Sequence, residues 1–324
     1  MEYATTIAAN EPIAITIGNF DGVHKGHQHL MRELRMTAQK LNSKPVLVTF
    51  SPHTLIVVRP DIDVRYLTTL EEKLALAKNY GSIADSIVIN FTPEVAAMSA
   101  AEFMDSLSTH FAVKGMVVGT DFSLGHNRMG NISFLEQYGQ QHGILVRPIP
   151  LEEVERTRIS STRIRALVSE GQIAEANELL GHPLTLSDIV RRGEQRGRRL
   201  GFPTANLIPE AHKLLPADGV YAVRVSIPPD STISDGASPS PVYNGVVNIG
   251  VRPTFNGTER IVEVHLLDIQ PDLYEKRITI DFIARLRGEQ RFSGIEALKS
   301  QIAADVRQAR QILHEEGEQG ESSP

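Results

Sequence analysis

The sequence contains no cysteine, which excludes a disulfide framework and thiolate chemistry. It also contains no run of 18 apolar residues, so no segment is expected to span a bilayer. The first residues lack the basic-then-apolar order of a secretory signal, and we expect a cytoplasmic protein. The formal net charge of −6 argues against a protein that coats nucleic acid or an acidic membrane.

The length of 324 residues suggests two domains, since a domain usually has about 100–200 residues. In the first half, short apolar runs alternate with longer amphipathic segments. The runs lie at 13–17, 46–50, 86–91, 115–119 and 144–149. They are nearly continuous in apolar residues, as strands covered on both faces must be. This rhythm predicts a Rossmann-like α/β domain, a parallel sheet with helices on both faces.

Helix signals separate these strands and end the first domain. Amphipathic stripes and caps predict helices at about 26–41, 99–111, 161–170 and 172–180. Gly181 is expected to cap the last of these helices, and Pro183 lies just beyond it. We therefore expect the first domain to comprise residues 1–182.

After Pro183 the pattern changes to strands separated by turn-rich loops, with no helical segment between them. The strand segments are 185–192, 219–227, 241–250, 259–269 and 276–286. They predict an antiparallel β-barrel domain at residues 183–314 that ends in one helix, capped by Ser293. The polar segment 228–241 is predicted to be a mobile hairpin loop, and residues 315–324 a disordered acidic tail.

The turn after the first strand carries the first candidate site, because "IGNFDGVHKGHQHL" holds His24, His27 and His29. A shared zinc ion is disfavoured, since His27 and His29 point about 200° apart around a helix that begins near Gly26. The spacing matches neither a dinucleotide fingerprint nor a P-loop. The free N–H groups at a helix start favour an anion. A phosphate site and a plain surface turn therefore both remain open.

Four segments in order resemble the bacterial FAD synthetases of the nucleotidyltransferase superfamily. They are "GNFDGVHKGH" (18–27), "TFSPH" (49–53), "VVGTDFSLG" (117–125) and "ISSTRIR" (159–165). The resemblance implies adenylyl transfer, in which the phosphate of FMN attacks the α-phosphate of ATP and releases pyrophosphate. One departure is Thr54, which stands where the family often has a second proline after the histidine.

The resemblance also implies roles for individual residues of this domain. His24 and His27 are expected to be catalytic, stabilising charge on the α-phosphate and on the departing pyrophosphate. The other positions are expected to bind ATP or phosphate, and they are Gly18, Asn19, Phe20, His53, Asp121, Arg158, Ser161, Thr162 and Arg165. For Ser161 the alternative is a plain helix cap.

The arginine-rich segment 191–207 is by itself typical of a solvated basic loop or a local RNA contact. It contains "GRRLGFPTANL", which resembles the riboflavin kinases together with three later segments. These segments are "NGVVNIGVRPTF" (244–255), "VEVHLLD" (262–268) and "RLRGEQRF" (285–292). The resemblance implies that the second domain phosphorylates riboflavin with ATP.

Several residues of the second domain receive roles from this resemblance. Thr204 and Asn206 lie two residues apart on an extended stretch, so they face one way and suit Mg²⁺ and ATP phosphates. Gly193, Arg198 and Gly201 are expected to fold over the phosphates. Glu263 is expected to be the general base that takes the proton of the ribityl hydroxyl. The plain alternatives are a turn for the first pair and a solvent-facing carboxylate for Glu263.

The two resemblances together predict a bifunctional enzyme that makes FMN from riboflavin and FAD from FMN. Mg²⁺ is the expected cofactor, and the expected partners are the small molecules ATP, riboflavin and FMN; the oligomeric state is left open. A different adenylyl- or cytidylyltransferase is one rival, but it has no need of the kinase-like half. A flavin-binding protein with inactive sites is another, and the intact candidate catalytic residues argue against it.

Overall fold

The structure, a computed structural model, describes residues 1–150, 153–154, 157–192, 197, 200–228, 241–254 and 257–321. The chain forms two compact units, Met1–Arg163 and Ile164–Pro324. None of the helices within the described residues is both long and apolar enough to cross a bilayer.

The first unit is built on one six-stranded sheet. Its strands are β1 (Tyr3–Ala4), β2 (Pro12–Ile17), β3 (Lys44–Ser51), β4 (Asp85–Asn90), β5 (Ala112–Gly119) and β6 (Leu145–Ile149). They lie in the order β1-β4-β3-β2-β5-β6, and all neighbours are parallel except β1, which pairs with β4 in the antiparallel sense. The five predicted strands are confirmed, whereas β1, with only two residues, was too short to leave a sequence pattern.

Helices cover both faces of this sheet, as the continuous apolar strands require. They are α1 (Lys25–Lys40), α2 (Thr54–Val58), α3 (Leu70–Gly81), α4 (Pro93–Ala97), α5 (Ala100–His110) and α6 (Ile132–His142). Alternate strand residues enter two separate cores, with Ile13 and Ile15 on the face of α5, and Ala14 on the face of α1. The capping box predicted at Ser99 is confirmed, because its side chain and that of Glu102 bond each other's backbone.

The strand order reverses between β2 and β5. The chain moves outward from β2 through β3 to β4, and then returns to place β5 and β6 on the other side. In open α/β sheets, ligands bind outside the carboxyl ends of the strands at such a reversal. The histidine-rich turn, which directly follows Ile17 at the end of β2, therefore lies at the binding edge of the sheet.

Two paired two-residue strands, β7 (Glu153–Val154) and β8 (Thr157–Arg158), precede the second unit. Within the described residues, the chain from Ser161 onwards contains a six-stranded antiparallel sheet and three helices. Its elements are α7 (Ser161–Glu170), α8 (Ile173–Leu180), β9 (Leu184–Ile189), β10 (Ala205–Leu207), β11 (Gly219–Ser226), β12 (Val242–Thr254), β13 (Gly257–Leu266), β14 (Arg277–Arg287) and α9 (Ile295–Glu321). The order is β10-β13-β12-β11-β14-β9. Just beyond β9, the N–H of Arg191 donates to the carbonyl of Asn206 in β10 at 2.8 Å. This bridge links the two edge strands of the predicted barrel.

Two boundaries differ from the expectations. The compact units divide within α7, at Arg163 and Ile164, because α8 packs on β14 and β9; the functional division at residues 182/183 stays a prediction. The last helix runs on to Glu321, so the chain is helical over most of the segment 315–324 that was predicted to be disordered. Its glutamates and glutamines are good helix formers, which favours continuation. Most of the predicted loop 228–241 lies outside the described residues.

Candidate active sites

The start of α1 brings His24 and His27 together. His24 is the N-cap, and its Nδ1 accepts from the backbone N–H of His27 at 3.4 Å. The two imidazole rings stack with centroids 3.6 Å apart and 17° between their planes. Both rings thus lie at the positive end of the helix, where unpaired N–H groups favour an anion.

The turn before α1 is held in a strained conformation. Phe20 and Val23 have positive φ angles of 49° and 41°, which cost side-chain-bearing residues roughly 1–3 kcal/mol each. Asp21 fixes the turn, because its buried carboxylate accepts from the backbone N–H groups of Leu67 and Thr68 at 3.1 and 3.0 Å. A strained turn that is held in place by several hydrogen bonds is typical of a functional site.

The ring of Phe20 is buried in the core, at 3% exposure, and meets the ring of His27 edge-on with centroids 5.2 Å apart. The side chain therefore supports His27 from below, and the predicted contact of Phe20 with ATP stays a prediction. Gly18 leaves room for this ring, since a Cβ at that position would lie 3.2 Å from it.

His27 is electrostatically prepared for an anion. Burial, the neighbouring His24 and the Lys73 ammonium hold the pKa of His27 well below its ordinary value of 6.5. Its Nδ1 is buried, and among the described residues it has no hydrogen-bond partner. Such an unsatisfied ring nitrogen is costly unless a ligand completes it. The free site is therefore ready to accept a group that brings both negative charge and acceptor oxygens.

Asn19 and Thr54 connect the first motif to the second. Asn19 Nδ2 donates to Thr54 Oγ1 at 2.8 Å, and the Thr54 N–H donates to Asn19 Oδ1 at 3.4 Å. His53, which is buried, caps α2 by accepting from the N–H of Leu55 at 3.2 Å. A proline at position 54 would have neither the hydroxyl nor the N–H. Thr54, at the position where the sequence departs from the family pattern, therefore forms hydrogen bonds to Asn19, a predicted site residue.

A cleft of about 770 Å³ opens beside this turn. Three predicted residues line it, Gly18, Asn19 and Asp121, together with Thr54. Most of the remaining wall is apolar and includes four aromatic side chains, Phe50, Phe91, Phe103 and Phe122. A cleft of this size, mostly apolar with a few polar groups at one end, is typical of a small-molecule site.

The start of α7 meets the same turn. Ser161 Oγ donates to the carbonyl of Asp21 at 2.9 Å, and Ser160 Oγ accepts from the N–H of Arg163 at 3.3 Å. Arg163, which sequence reasoning did not single out, has a buried Nη1 without a hydrogen-bond partner among the described residues. The segment 159–165 therefore lies beside the histidine-rich turn, and the Ser161 hydroxyl binds the backbone of that turn.

Three further residues of this region were predicted to bind ATP or phosphate, and one of them lies just before the motif. Thr162 is exposed. Arg158 lies in the two-residue strand Thr157–Arg158, and its side chain lies outside the described part of the structure. Arg165 belongs to the second compact unit. Their roles stay predictions.

In the second unit, three polar side chains form a row across neighbouring strands. Asn206 of β10 lies opposite Glu263 of β13, and Glu263 lies opposite Asn248 of β12. Directly opposed residues of antiparallel strands share a face. Val262 and Val264, on either side of Glu263, are buried on the other face, as the alternation predicted. The sequence analysis did not find Asn248, because only the strand register places it opposite Glu263.

Two clefts lie on either side of Thr204. The larger, of about 710 Å³, contains Glu263 and Asn248, and the smaller, of about 350 Å³, is bounded by the segment Ile269–Tyr274. Thr204 lines both. Thr204 and Asn206 are half-buried, whereas Ala205 between them is buried, so the two oxygen-bearing side chains share a face. Neutral oxygens beside a carboxylate are a donor set that fits Mg²⁺.

The glycine-rich loop is described only in part. Gly193 and Arg198 lie outside the described residues, whereas Gly201 has a φ of +91°, which favours glycine. Gly197 packs over Thr204, since a Cβ there would lie 3.2 Å from Thr204 Oγ1. His265 Nδ1 lies 2.9 Å from the carbonyl of Pro203, which positions this turn rather than a substrate.

The larger cleft is bounded by a buried ion pair that sequence reasoning also missed. Arg287 Nη2 lies 2.8 Å from Asp305 Oδ2, and Arg287 Nε lies 3.0 Å from Oδ1. The side chains are 15% and 4% exposed. Asp305 comes from α9, so this pair ties the last helix to the wall of the cleft. The sequence offered no signal, because the two residues are 18 positions apart on different elements.

The fold and the two sites define a nucleotide-dependent transferase with two domains. Comparison with known families agrees with this class. A family model described as FAD synthetase matches residues 6–163, and one described as riboflavin kinase matches residues 180–313. The chain belongs to the bifunctional riboflavin kinase/FMN adenylyltransferase family, and it carries both domains in the predicted order.

Proteins described by that name are similar over nearly the whole chain. The one from Escherichia coli (strain K12) is 38% identical over 307 residues, which cover 94% of each chain. The one from Pseudomonas fluorescens is 38% identical and covers 92% of each. A crystal structure of a Streptococcus pneumoniae protein, described as a macrolide-efflux protein, shares the fold with a TM-score of 0.80 at 30% identity, covering 93% of this chain and 94% of that one.

Proposed function

We propose that this chain phosphorylates riboflavin to FMN in its second unit and joins FMN to the adenylyl group of ATP in its first. The stacked His24 and His27 at the start of α1, at the reversal point of the sheet, carry the first assignment. Glu263, which faces Asn206 across the sheet and lines the larger cleft, carries the second. We place both reactions in the cytoplasm, in line with the absence of cysteine.

In the first unit, the phosphates of ATP bind at the start of α1. A phosphate oxygen of FMN attacks the α-phosphorus, and the bond to the bridging oxygen of pyrophosphate breaks. Negative charge builds on the departing group, and the ring of His27, which takes a proton from solvent when the phosphates bind, donates a hydrogen bond to it. Positioning and electrostatics account for the rate increase, and no covalent intermediate is needed.

The apolar cleft of the first unit is the proposed flavin site. Its four phenylalanines suit the flat, largely apolar isoalloxazine ring better than a phosphate chain. Asn19 and Asp121 line the same cleft, and Asn19 directly precedes the phosphate turn. A flavin in this cleft therefore points its phosphate towards His24 and His27.

In the second unit, the larger cleft takes riboflavin and the smaller takes ATP. Glu263 lines only the larger cleft, so the hydroxyl that loses its proton must lie there. Thr204 and Asn206 would hold Mg²⁺, which would neutralise phosphate charge. Glu263 takes the proton while the ribityl oxygen attacks the γ-phosphorus and ADP leaves. Asn248, on the same face, orients the carboxylate or the hydroxyl.

Incubation of the purified chain with riboflavin, ATP and Mg²⁺, followed by chromatography, tests the proposal. FMN is expected first and FAD second, and FMN supplied directly is expected to give FAD. Failure to form FMN from riboflavin would overturn the assignment of the second unit. Failure to form FAD from supplied FMN would overturn that of the first.

A further inference from the structure

A lysine is buried beneath the phosphate turn of the first unit. Lys73, on α3, is 4% exposed, and its Nζ donates to Thr49 Oγ1 at 3.2 Å. Within the described residues it forms no ion pair. Burying an ammonium with only a neutral partner is costly, and such groups concentrate at functional sites. Neither the family resemblance nor the motifs single out this residue.

The ammonium lies against the phosphate turn. Thr49, its partner, is near the end of β3, and its hydroxyl donates to the carbonyl of Asn19 at 3.4 Å. The charged and titratable groups that face Lys73 are Asp21 and His27, and His27 in turn stacks on His24. Lys73 is thus linked to the turn through the two hydrogen bonds of Thr49.

Lys73 is not simply the counter-ion of the Asp21 carboxylate. The Asp21 carboxylate is already satisfied by the N–H groups of Leu67 and Thr68 and by the Thr68 hydroxyl. Burial lowers the pKa of Lys73 from its ordinary 10.5 to about 8, although the Asp21 carboxylate opposes the shift. The free protein therefore holds a positive charge that its own side chains compensate only in part.

We propose that Lys73 is a positioning residue for adenylyl transfer, whose buried ammonium holds the phosphate turn through Thr49 and is compensated by the phosphates of bound ATP. The inference rests on the assignment of adenylyl transfer to this unit. Burial, His24 and Lys73, in that order, hold the pKa of His27 below its ordinary value, and bound phosphates offset the part that comes from Lys73. Lys73 itself acts through Thr49 and does not touch the reacting atoms.

Proton-detected NMR of the histidine rings tests the coupling directly, with the His27 signal assigned by its loss in His27→Gln. In the unmodified chain, the His27 ring shifts are expected to show a second inflection near pH 8, where Lys73 loses its proton. In Lys73→Met this inflection disappears and the His27 titration moves to higher pH. Lys44→Met is the matched control, because Lys44 is a partly exposed lysine on the same unit that pairs with Glu11 and Asp85. A single His27 inflection in the unmodified chain would overturn the proposal without any variant.

The pH profile of kcat/KM for ATP, measured with FMN as the acceptor, gives the functional readout. The profile of the unmodified enzyme is expected to fall above about pH 8, since kcat/KM reports the groups of the free enzyme. Lys73→Met is expected to lower kcat/KM at least tenfold and to remove that fall, whereas Lys73→Arg extends the active range to higher pH. Riboflavin phosphorylation by the same samples shows that the second unit is folded, and the His27 ring signal of Lys73→Met shows that the first unit is folded. If Lys73→Met retained both the value and the alkaline fall, Lys73 would be a core residue only. If the unmodified enzyme made no FAD, the adenylyl assignment itself would fail.

Discussion

Glu263 lies directly opposite Asn206 where β13 pairs with β10, and both side chains face the same side of the sheet. They are 57 positions apart in the chain, and strand pairing alone brings them together. The proposed general base thus stands beside the proposed metal ligand. This relationship leads to the first two predictions.

Glu263→Gln is expected to lower FMN formation by about 10²–10⁴-fold, because glutamine keeps the shape but cannot accept the proton. The conversion of supplied FMN to FAD is expected to be unchanged. Chromatography of both reactions from one preparation measures the two rates, and the FAD step reports on folding. Equal loss of both steps in a folded variant would contradict the division of labour.

Asn206→Ala is expected to raise the Mg²⁺ concentration needed for half-maximal FMN formation by about tenfold, as loss of a good oxygen ligand should. Titration of the kinase rate with Mg²⁺ gives this value. Asn244→Ala is the matched control, because Asn244 is an exposed asparagine on β12 of the same sheet. An unchanged Mg²⁺ requirement in Asn206→Ala would remove this residue from the metal site.

His27→Gln is expected to lower FAD formation from FMN by roughly 10²–10³-fold, since glutamine can donate a hydrogen bond but cannot gain charge. Riboflavin phosphorylation is expected to continue. His29→Gln, which changes a partly exposed histidine on the same helix, should leave both rates unchanged. A similar loss in the two variants would show that the effect comes from the helix and not from the site.

Thr54→Val is expected to raise KM for the adenylyl step by about fivefold, because the loss of one hydrogen bond to Asn19 costs about 1 kcal/mol. Thr54→Pro removes the N–H as well, and we expect a larger effect. Steady-state kinetics with supplied FMN measures the change. If proline at this position left the kinetics unaltered, the bond would have no role in orienting Asn19.

Asp305→Ala is expected to destabilise the second unit by about 3–5 kcal/mol, because it leaves the Arg287 guanidinium buried without its carboxylate. Thermal unfolding followed by circular dichroism measures the change. Lys299→Ala, on the same helix, breaks the pair of Lys299 with Glu296, which is exposed and contributes little. A comparable loss in the control would point to helix propensity rather than to the ion pair.

The five long strands of the first half, helices α1 and α5, and the order of the two domains followed from local patterns, whereas α3 and α6 were not predicted. Apolar runs of five residues are typical of strands buried on both faces, and Ser99 with Glu102 indicates the start of a helix. The alternation around Glu263 likewise predicted which face is polar. These features depend on neighbours within a few positions, so the sequence carries them directly.

Other features depend on distant parts of the chain meeting. Phe20 lies within the histidine-rich motif, and its ring packs into the core because the strained turn directs it inwards beneath His27. Thr54 was noted as a departure, yet its bond to Asn19 exists only once two loops meet. Nothing near Lys73 in the sequence distinguishes it from an ordinary surface lysine on a helix. Only the fold buries Lys73, against residues such as Thr49 that lie 24 positions away in the chain, and this burial lowers its pKa.

The sequence by itself determined the order of the two domains, the candidate residues for the chemistry and the edge of the sheet at which the first candidate site lies. Local propensity and side-chain chemistry suffice for those conclusions. Only the tertiary structure decided which of those residues meet, which are buried as support, and which further side chains join them. Strand register and long-range packing set these relationships, as Glu263 between Asn206 and Asn248 illustrates.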